Sequence, residues 1–312
     1  MAIIRRDSIP TDTNTTAKGS TRSLPDPNDS YGILEAGAAF PQEGRIACQG
    51  IQGANSQIAA ERMFPYGKLL FFKNFEGVVD AVRMGLADYG VLPIENNTYG
   101  SVRAVYEELK KGEVTIIRGE RLLIRHELLV KPGTRLSAVR RIYSHEQAIG
   151  QCGQFLKTLK NVEVIPCLNT AVAARQISES EDNDAAAIAS PSCAELYGLE
   201  PLDVRLQDSD NNYTRFICIA KDRVVYPGSN RVSLILSVPH QPGSLYRVLE
   251  ILAKAGIDML KLESVPIVGR DFEFLFYVDI AASVADPEIR RVLEELKQAC
   301  QTCLYLGNYL EN

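Results

Sequence analysis

The chain has no stretch approaching the roughly 18 uninterrupted apolar residues of a membrane-spanning helix, and residues 1–8 hold no apolar core ahead of their charges. Neither a membrane segment nor a secretory signal is read, and a cytoplasmic protein is expected. Histidine is scarce: His126, His145 and His240 are the only three, and no two stand four apart as helix-borne ligands do, so no metal is expected. No Gly-x-Gly-x-x-Gly follows an apolar run, no Walker A sequence occurs and no Ser-His-Asp set is recognisable. Hydride transfer and nucleotide hydrolysis lose their support, and no cofactor is expected. Positive charge is not in excess: 34 Lys and Arg against 39 Asp and Glu give −5, whereas a nucleic-acid partner asks for clustered basic residues. Seven cysteines, an odd number scattered along the chain, read as reduced thiols. The pair in Cys300-Gln-Thr-Cys303 has no second pair at metal-ligand spacing and falls where a helix is predicted to end, so it is read as structural.

What is present is an ordinary globular composition, 46% hydrophobic and 23% charged over 312 residues, long enough for two domains. Residues 1–30 are rich in Ser, Thr, Pro and Asp without apolar periodicity, and 1–44 are expected to form a disordered tail or linker. From Arg45 short apolar runs at 45–48, 68–72, 89–94, 114–117, 122–130, 142–144, 162–166, 185–189 and 216–220 predict strands. Amphipathic stretches at 56–64, 78–86, 147–159, 171–177 and 193–197 predict helices between them, the alternation of an α/β domain over 45–225. Tyr226-Pro-Gly-Ser-Asn230 is turn chemistry and marks a boundary. Beyond it, 230–312 reads strand 232–238, helix 245–254, strands 259–267 and 272–280 joined by a turn at 268–271, helix 287–299 and strand 303–306. Leu245, Val248, Leu249 and Leu252 fall at i, i+3, i+4, i+7, as do Ile289, Val292, Leu293 and Leu296, so each helix has one buried stripe. The order βαββαβ in about 80 residues is that of a ferredoxin-like sandwich.

Polar clusters in the larger domain each follow an apolar strand and precede a helix. They are Gly50-Ile-Gln-Gly-Ala-Asn-Ser56, Glu95-Asn-Asn-Thr-Tyr-Gly-Ser101, Ser144-His-Glu-Gln147, Asn169-Thr170 and Ser190-Pro-Ser192. The carboxyl edge of an α/β sheet is where ligands bind, and helix N-termini there offer free N–H groups to an anion. Any one cluster is equally well a simple strand-to-helix turn; five together point to a small anionic ligand. The side chains on offer are neutral hydroxyls and amides, suited to positioning and hydrogen bonding more than to strong-base chemistry.

Four segments give the chain a family resemblance over about residues 45–309: Pro93-Ile-Glu-Asn96 with Gly100-Ser101; Ser144-His-Glu-Gln-Ala-Ile-Gly-Gln-Cys152; Asn212-Tyr-Thr-Arg-Phe216; and Pro242-Gly-Ser-Leu245 with Glu263-Ser-Val-Pro266. In this order and spacing they resemble prephenate dehydratase followed by a regulatory ACT domain. The resemblance implies a two-lobed catalytic domain similar to a type II periplasmic binding protein, with segment 208–222 returning to complete the first lobe. It implies conversion of prephenate to phenylpyruvate with loss of CO2 and water, feedback-regulated by L-phenylalanine. Such a reaction needs both carboxylates held and a hydrogen-bond donor for the departing hydroxide, not a catalytic histidine.

By the family's motifs, Thr214 is the donor to the leaving hydroxyl, and Asn96, Ser144 and Gln151 are further catalytic residues. Glu95, Ala54, Asn55, Ser56, Asn169, Thr170, Arg215 and Phe216 are candidates for substrate binding, although strand alternation points Arg215 away from Thr214 and Phe216. His145 is read as a structural or surface histidine. For the effector the resemblance implies Pro242, Gly243, Ser244, Leu245, Glu263 and Ser264, at an interface between two ACT domains. The chain departs from the usual pattern at Ser244, where Ala is common, and at Val265, where Arg is usual. A homodimer or homotetramer is expected, with no nucleic-acid or membrane partner. Residues 1–44 are too short and polar for the chorismate mutase domain of some relatives, so a monofunctional chain is expected. Arogenate dehydratase and a non-enzymatic two-lobed sensor with an ACT module are the rival readings.

Overall fold

The computed structural model describes residues 32–35, 37, 39–267 and 274–311. The tail expected over 1–30 and the turn expected at 268–271 lie outside them. The first lobe is built on five strands in the order Thr115–Leu123, Tyr213–Ala220, Tyr89–Asn96, Glu43–Gln49 and Tyr66–Phe72. Tyr213–Ala220 returns late in the chain and pairs antiparallel with a neighbour on either side, completing this lobe as the resemblance implies. Helix Phe75–Arg83 starts where Asn74 accepts the Gly77 N–H at 3.0 Å, and buries Val78, Val79, Ala81 and Val82 against the sheet.

The second lobe has the order Glu200–Leu202, Glu127–Val130, Ala185–Ala189, Arg141–Ser144 and Glu163–Pro166. Two expectations change here. The single strand expected at 122–130 is two, because 124–126 is the crossing between the lobes: the Ile124 N–H donates to the Asn212 carbonyl at 2.7 Å, tying it to the return crossing. The helix expected at 147–159 is broken at Cys152 into Glu146–Gln151 and Gly153–Thr158. Asp208 causes the break: its N–H donates to the Gln151 carbonyl at 2.8 Å and its carboxylate accepts the Gln154 N–H at 3.0 Å.

The ACT domain has the expected βαββαβ order, Arg231–Ser237, Ser244–Lys254, Met259–Pro266, Phe274–Ile280, Pro287–Ala299 and Thr302–Glu311. Asp286 caps the second helix by accepting the Glu288 N–H at 2.9 Å, with Pro287 in the first turn. The final strand runs well past the expected 303–306, and its end pairs in parallel with the first lobe, Leu310 opposite Arg118 and Glu311 opposite Gly119. The ACT and first-lobe sheets are thereby one ten-stranded sheet. Gly307 makes this possible: at φ 154° it lies so close to the lobe that a Cβ would fall 2.1 Å from the Ile116 carbonyl oxygen.

One face of the ACT sheet is covered by its two helices, and the other packs on the first lobe. In that seam the rings of Tyr106 and Tyr277 stack with centroids 3.9 Å apart, among Ile235, Val265, Leu306 and Tyr309. Val265, standing where the family has Arg, is a buried seam residue. The tail expected over 1–44 is ordered in part: Ile33 is buried in the ACT core, and Leu34–Glu35 pairs in parallel with Val224–Val225.

Candidate active site

Between the lobes lies a cavity of about 530 Å³, in the range of small-molecule sites. Each lobe contributes a helix N-terminus to its wall. Ala54, Asn55 and Ser56 open helix Asn55–Met63 of the first lobe; Asn169 and Thr170 open helix Thr170–Glu179 of the second. All five line the cavity, and Asn169 also caps its helix by accepting the Val172 N–H at 2.8 Å. Phe75, Pro93, Ile124, Leu168 and Phe216 supply apolar wall for a ring.

The lobes touch at both edges of the cleft. The Tyr99 hydroxyl donates to the Gln147 carbonyl at 3.0 Å on one side. On the other, Ser190 Oγ donates to the Gly53 carbonyl at 3.0 Å and the Tyr197 hydroxyl to the Gln52 carbonyl at 2.6 Å. Gly53 has φ 87°, and a Cβ there would sit 2.7 Å from Cys193 Sγ of the second lobe.

Across the cleft floor runs a chain of amides. Asn96 and Thr214 are register partners in adjacent antiparallel strands, so their side chains share a face. The Asn96 amide donates to Thr214 Oγ1 at 3.0 Å and to Asn212 Oδ1 at 2.9 Å, while Asn96 Oδ1 accepts the N–H groups of Thr98 and Tyr99. The Asn212 amide donates to Gln151 Oε1 at 2.8 Å, and His126 Nε2 donates to the same oxygen at 2.8 Å. Because Thr214 Oγ1 accepts from Asn96, its own proton is left to point elsewhere. Burial pushes the His126 imidazole below its ordinary range, so it is neutral near pH 7, and its buried Nδ1 has no hydrogen-bond partner among the described residues.

Three expected site residues are not in the cleft. Ser144 is fully buried, its hydroxyl donating to the Ile188 carbonyl at 2.6 Å, which ties two second-lobe strands together. Glu95 and Arg215 alternate to the opposite sheet face from Asn96 and Thr214 and meet the ACT domain. Arg215, buried, pairs with Asp279 at 2.8 Å, Glu311 at 2.5 Å and Glu95 at 3.2 Å; Arg231 bridges Asp279 and Glu311. Burial works against the Arg215 charge, but Tyr309, Asp279 and Glu311 more than offset it and hold it firmly protonated. Lys261 donates to Glu95 at 2.8 Å and to Ser101 Oγ at 2.7 Å.

Tyr99, Arg103, His126 and Asn212 are among the cavity residues to which the sequence assigned no role. Asn212 had a signal, since it opens the segment that contains Thr214; Arg103 and His126 had none, the latter lying inside what reads as a strand. His145, read as a structural or surface histidine, lines the cavity and caps helix Glu146–Gln151, its Nδ1 accepting the Gln147 N–H at 3.3 Å. Of the effector candidates, Pro242 and Gly243 form an exposed turn, Gly243 at φ 83°, that leads into buried Ser244 and half-buried Leu245. Glu263 is engaged at the catalytic seam by Ser101 and Lys261, while Ser264 is exposed.

Comparison with known proteins matches these two units. A family profile described as Prephenate dehydratase covers residues 46–224, and one described as ACT domain covers 232–301. The chain is 35% identical over 299 residues to "Arogenate dehydratase/prephenate dehydratase 2, chloroplastic" of Arabidopsis thaliana, covering 92% of this chain and 77% of the relative. Among solved structures, a prephenate dehydratase from Arthrobacter aurescens in complex with L-Phe superposes with TM-score 0.77 at 27% identity, over 85% of this chain and 89% of that one. Another, described as GqqA, a novel type of quorum quenching acylase, superposes with TM-score 0.76 at 31% identity, over 86% and 98%. The chain belongs to the prephenate dehydratase family, with an ACT domain following its two-lobed catalytic domain.

Proposed function

We propose that the protein converts prephenate to phenylpyruvate and that L-phenylalanine, taken up by the ACT domain, lowers the rate. The observation that carries the choice of substrate is the charge of the cleft: no Asp or Glu lines the cavity among the described residues, whereas Arg103 and two helix N-termini do. Prephenate is a dianion. Arogenate replaces its keto group with an ammonium, which such a wall leaves without a counter-charge.

In the reaction the electron pair of the ring C–CO2 bond moves into the ring and that of the opposite C–O bond leaves with oxygen. CO2 departs, the hydroxide takes up one proton to become water, and the ring is aromatic. Thr214, its oxygen held by Asn96, presents its O–H to the leaving oxygen, and the Asn96–Asn212–Gln151 amides hold that donor in place. Asn55, Ser56 and Thr170 receive carboxylate oxygens, and Phe216 with Phe75 packs the ring.

Purified protein is expected to form phenylpyruvate from prephenate, and Thr214→Ala to lower kcat by about 100-fold or more. Arogenate is expected to compete poorly; the opposite preference would make the chain an arogenate dehydratase. Absence of turnover of either would favour the sensor reading. Amide hydrolysis is the second reading, favoured by the likeness to the acylase structure, and an assay of amide cleavage on the same samples separates it. L-Phenylalanine at millimolar levels is expected to slow wild-type turnover in a steady-state assay; unchanged kinetics would remove the effector from the proposal.

A further inference from the structure

Among the described residues that line the cleft, Arg103 is the one Arg or Lys, and His126 and His145 are both pushed by burial below the ordinary imidazole range. It opens helix Arg103–Leu109, directly after the Gly100–Ser101 strand, and is exposed, its guanidinium making no hydrogen bond or ion pair with the described residues. Against the effect of burial, hydrogen bonds from Ser101 and Lys261 hold the Glu263 carboxyl of the ACT domain below its usual range, and the nearby Arg103 guanidinium, at the rim of the cleft beside the seam, adds to this. The family's motifs, as read from the sequence, assign it nothing.

We infer that Arg103 binds the side-chain carboxylate of the substrate, the one that survives into product, and not the ring carboxylate. The inference rests on the dehydratase reading above. The two carboxylates of the dianion have different fates. The ring carboxylate surrenders its charge on the way to CO2, so a cation bound to it stabilises the ground state more than the transition state and slows the reaction. The side-chain carboxylate keeps its charge throughout, and a guanidinium bound there grips substrate, transition state and product alike. A cleft with one cation and otherwise neutral donors works best with that cation on the charge that does not change. The helix N-termini, weaker and neutral, are then left for the ring carboxylate, the end at which charge is lost.

The test compares Arg103→Gln and Arg103→Lys with wild type, measuring kcat and KM for prephenate and the competitive inhibition constant of phenylpyruvate. Phenylpyruvate is the informative probe because it retains only the side-chain carboxylate. Expected for Arg103→Gln are a rise of tenfold or more in KM, a rise of similar size in the phenylpyruvate constant, and a kcat within about threefold of wild type, the pattern of lost uniform binding. Arg103→Lys is expected to recover most of both. A phenylpyruvate constant that does not move would overturn the assignment, as would a fall in kcat at unchanged KM. Wild-type protein that leaves prephenate untouched would sink the dehydratase reading and this inference together; wild-type turnover with an unaltered Arg103→Gln would sink this inference alone. Thermal unfolding of the variants checks that Arg103, an exposed side chain, has not been replaced at the expense of the fold.

Discussion

Thr214 and Arg215 are neighbours in one strand, yet alternation sends the first into the cleft and the second to the ACT seam. The same rule divides Asn96 from Glu95 in the strand beside it. That much is legible in a sequence once the strand is recognised, and it is why doubt about Arg215 as a substrate ligand is warranted from the chain alone. Ser144 is different: nothing in its sequence neighbourhood says that its hydroxyl spends itself on Ile188 while the next residue, His145, lines the cleft. His126 carries a pH consequence. Its folded imidazole is held below the ordinary value of about 6.5, so the native state binds fewer protons than the unfolded chain. Stability is fully present at neutral pH and is lost as pH falls through the ordinary imidazole range toward the lower folded value. Urea unfolding between pH 7.5 and pH 5 is expected to show this slope, and His126→Gln to flatten it, His145 keeping a remainder.

Among elements, periodicity locates the ACT helices because a single buried stripe, such as Val292, Leu293 and Leu296 at i+3, i+4 and i+7 from Ile289, is written into the spacing. Breaks imposed from elsewhere are invisible to it. Helix Glu146–Gln151 stops because Asp208, some fifty residues later, occupies its backbone groups, and that stop is what aims Gln151 at Asn212. The length of Thr302–Glu311 is likewise set by a partner strand and not by its own composition. Gly307 is the permissive residue there. Gly307→Ala must push the strand off Ile116, and a loss of several kcal/mol is expected in denaturant unfolding, where a Gly-to-Ala change at an unstrained position would instead stabilise by about 0.4–1 kcal/mol.

At the scale of the whole molecule, the seam joins regulatory and catalytic parts through charge as well as through packing. Arg215, Arg231 and Lys261 interleave with Glu95, Asp279, Glu311 and Glu263, and the two catalytic-lobe members, Glu95 and Arg215, are each one residue from Asn96 and Thr214. Removing one partner of such a buried set leaves charge uncompensated, so Arg215→Gln is expected to cost about 3–5 kcal/mol, read from the denaturation midpoint. On the far side of the ACT domain Tyr246, Leu249, Leu260 and Leu262 stand exposed, apolar surface available for the dimer or tetramer that we propose.

The shared final strand also decides what can be cut away. A fragment ending near residue 225 would leave the Thr115–Leu123 backbone as a raw edge and the Tyr106 ring facing water, the kind of border along which chains stick to one another. The enzyme half is thus no detachable cassette: its sheet is closed on that side only once strand Thr302–Glu311 is in place.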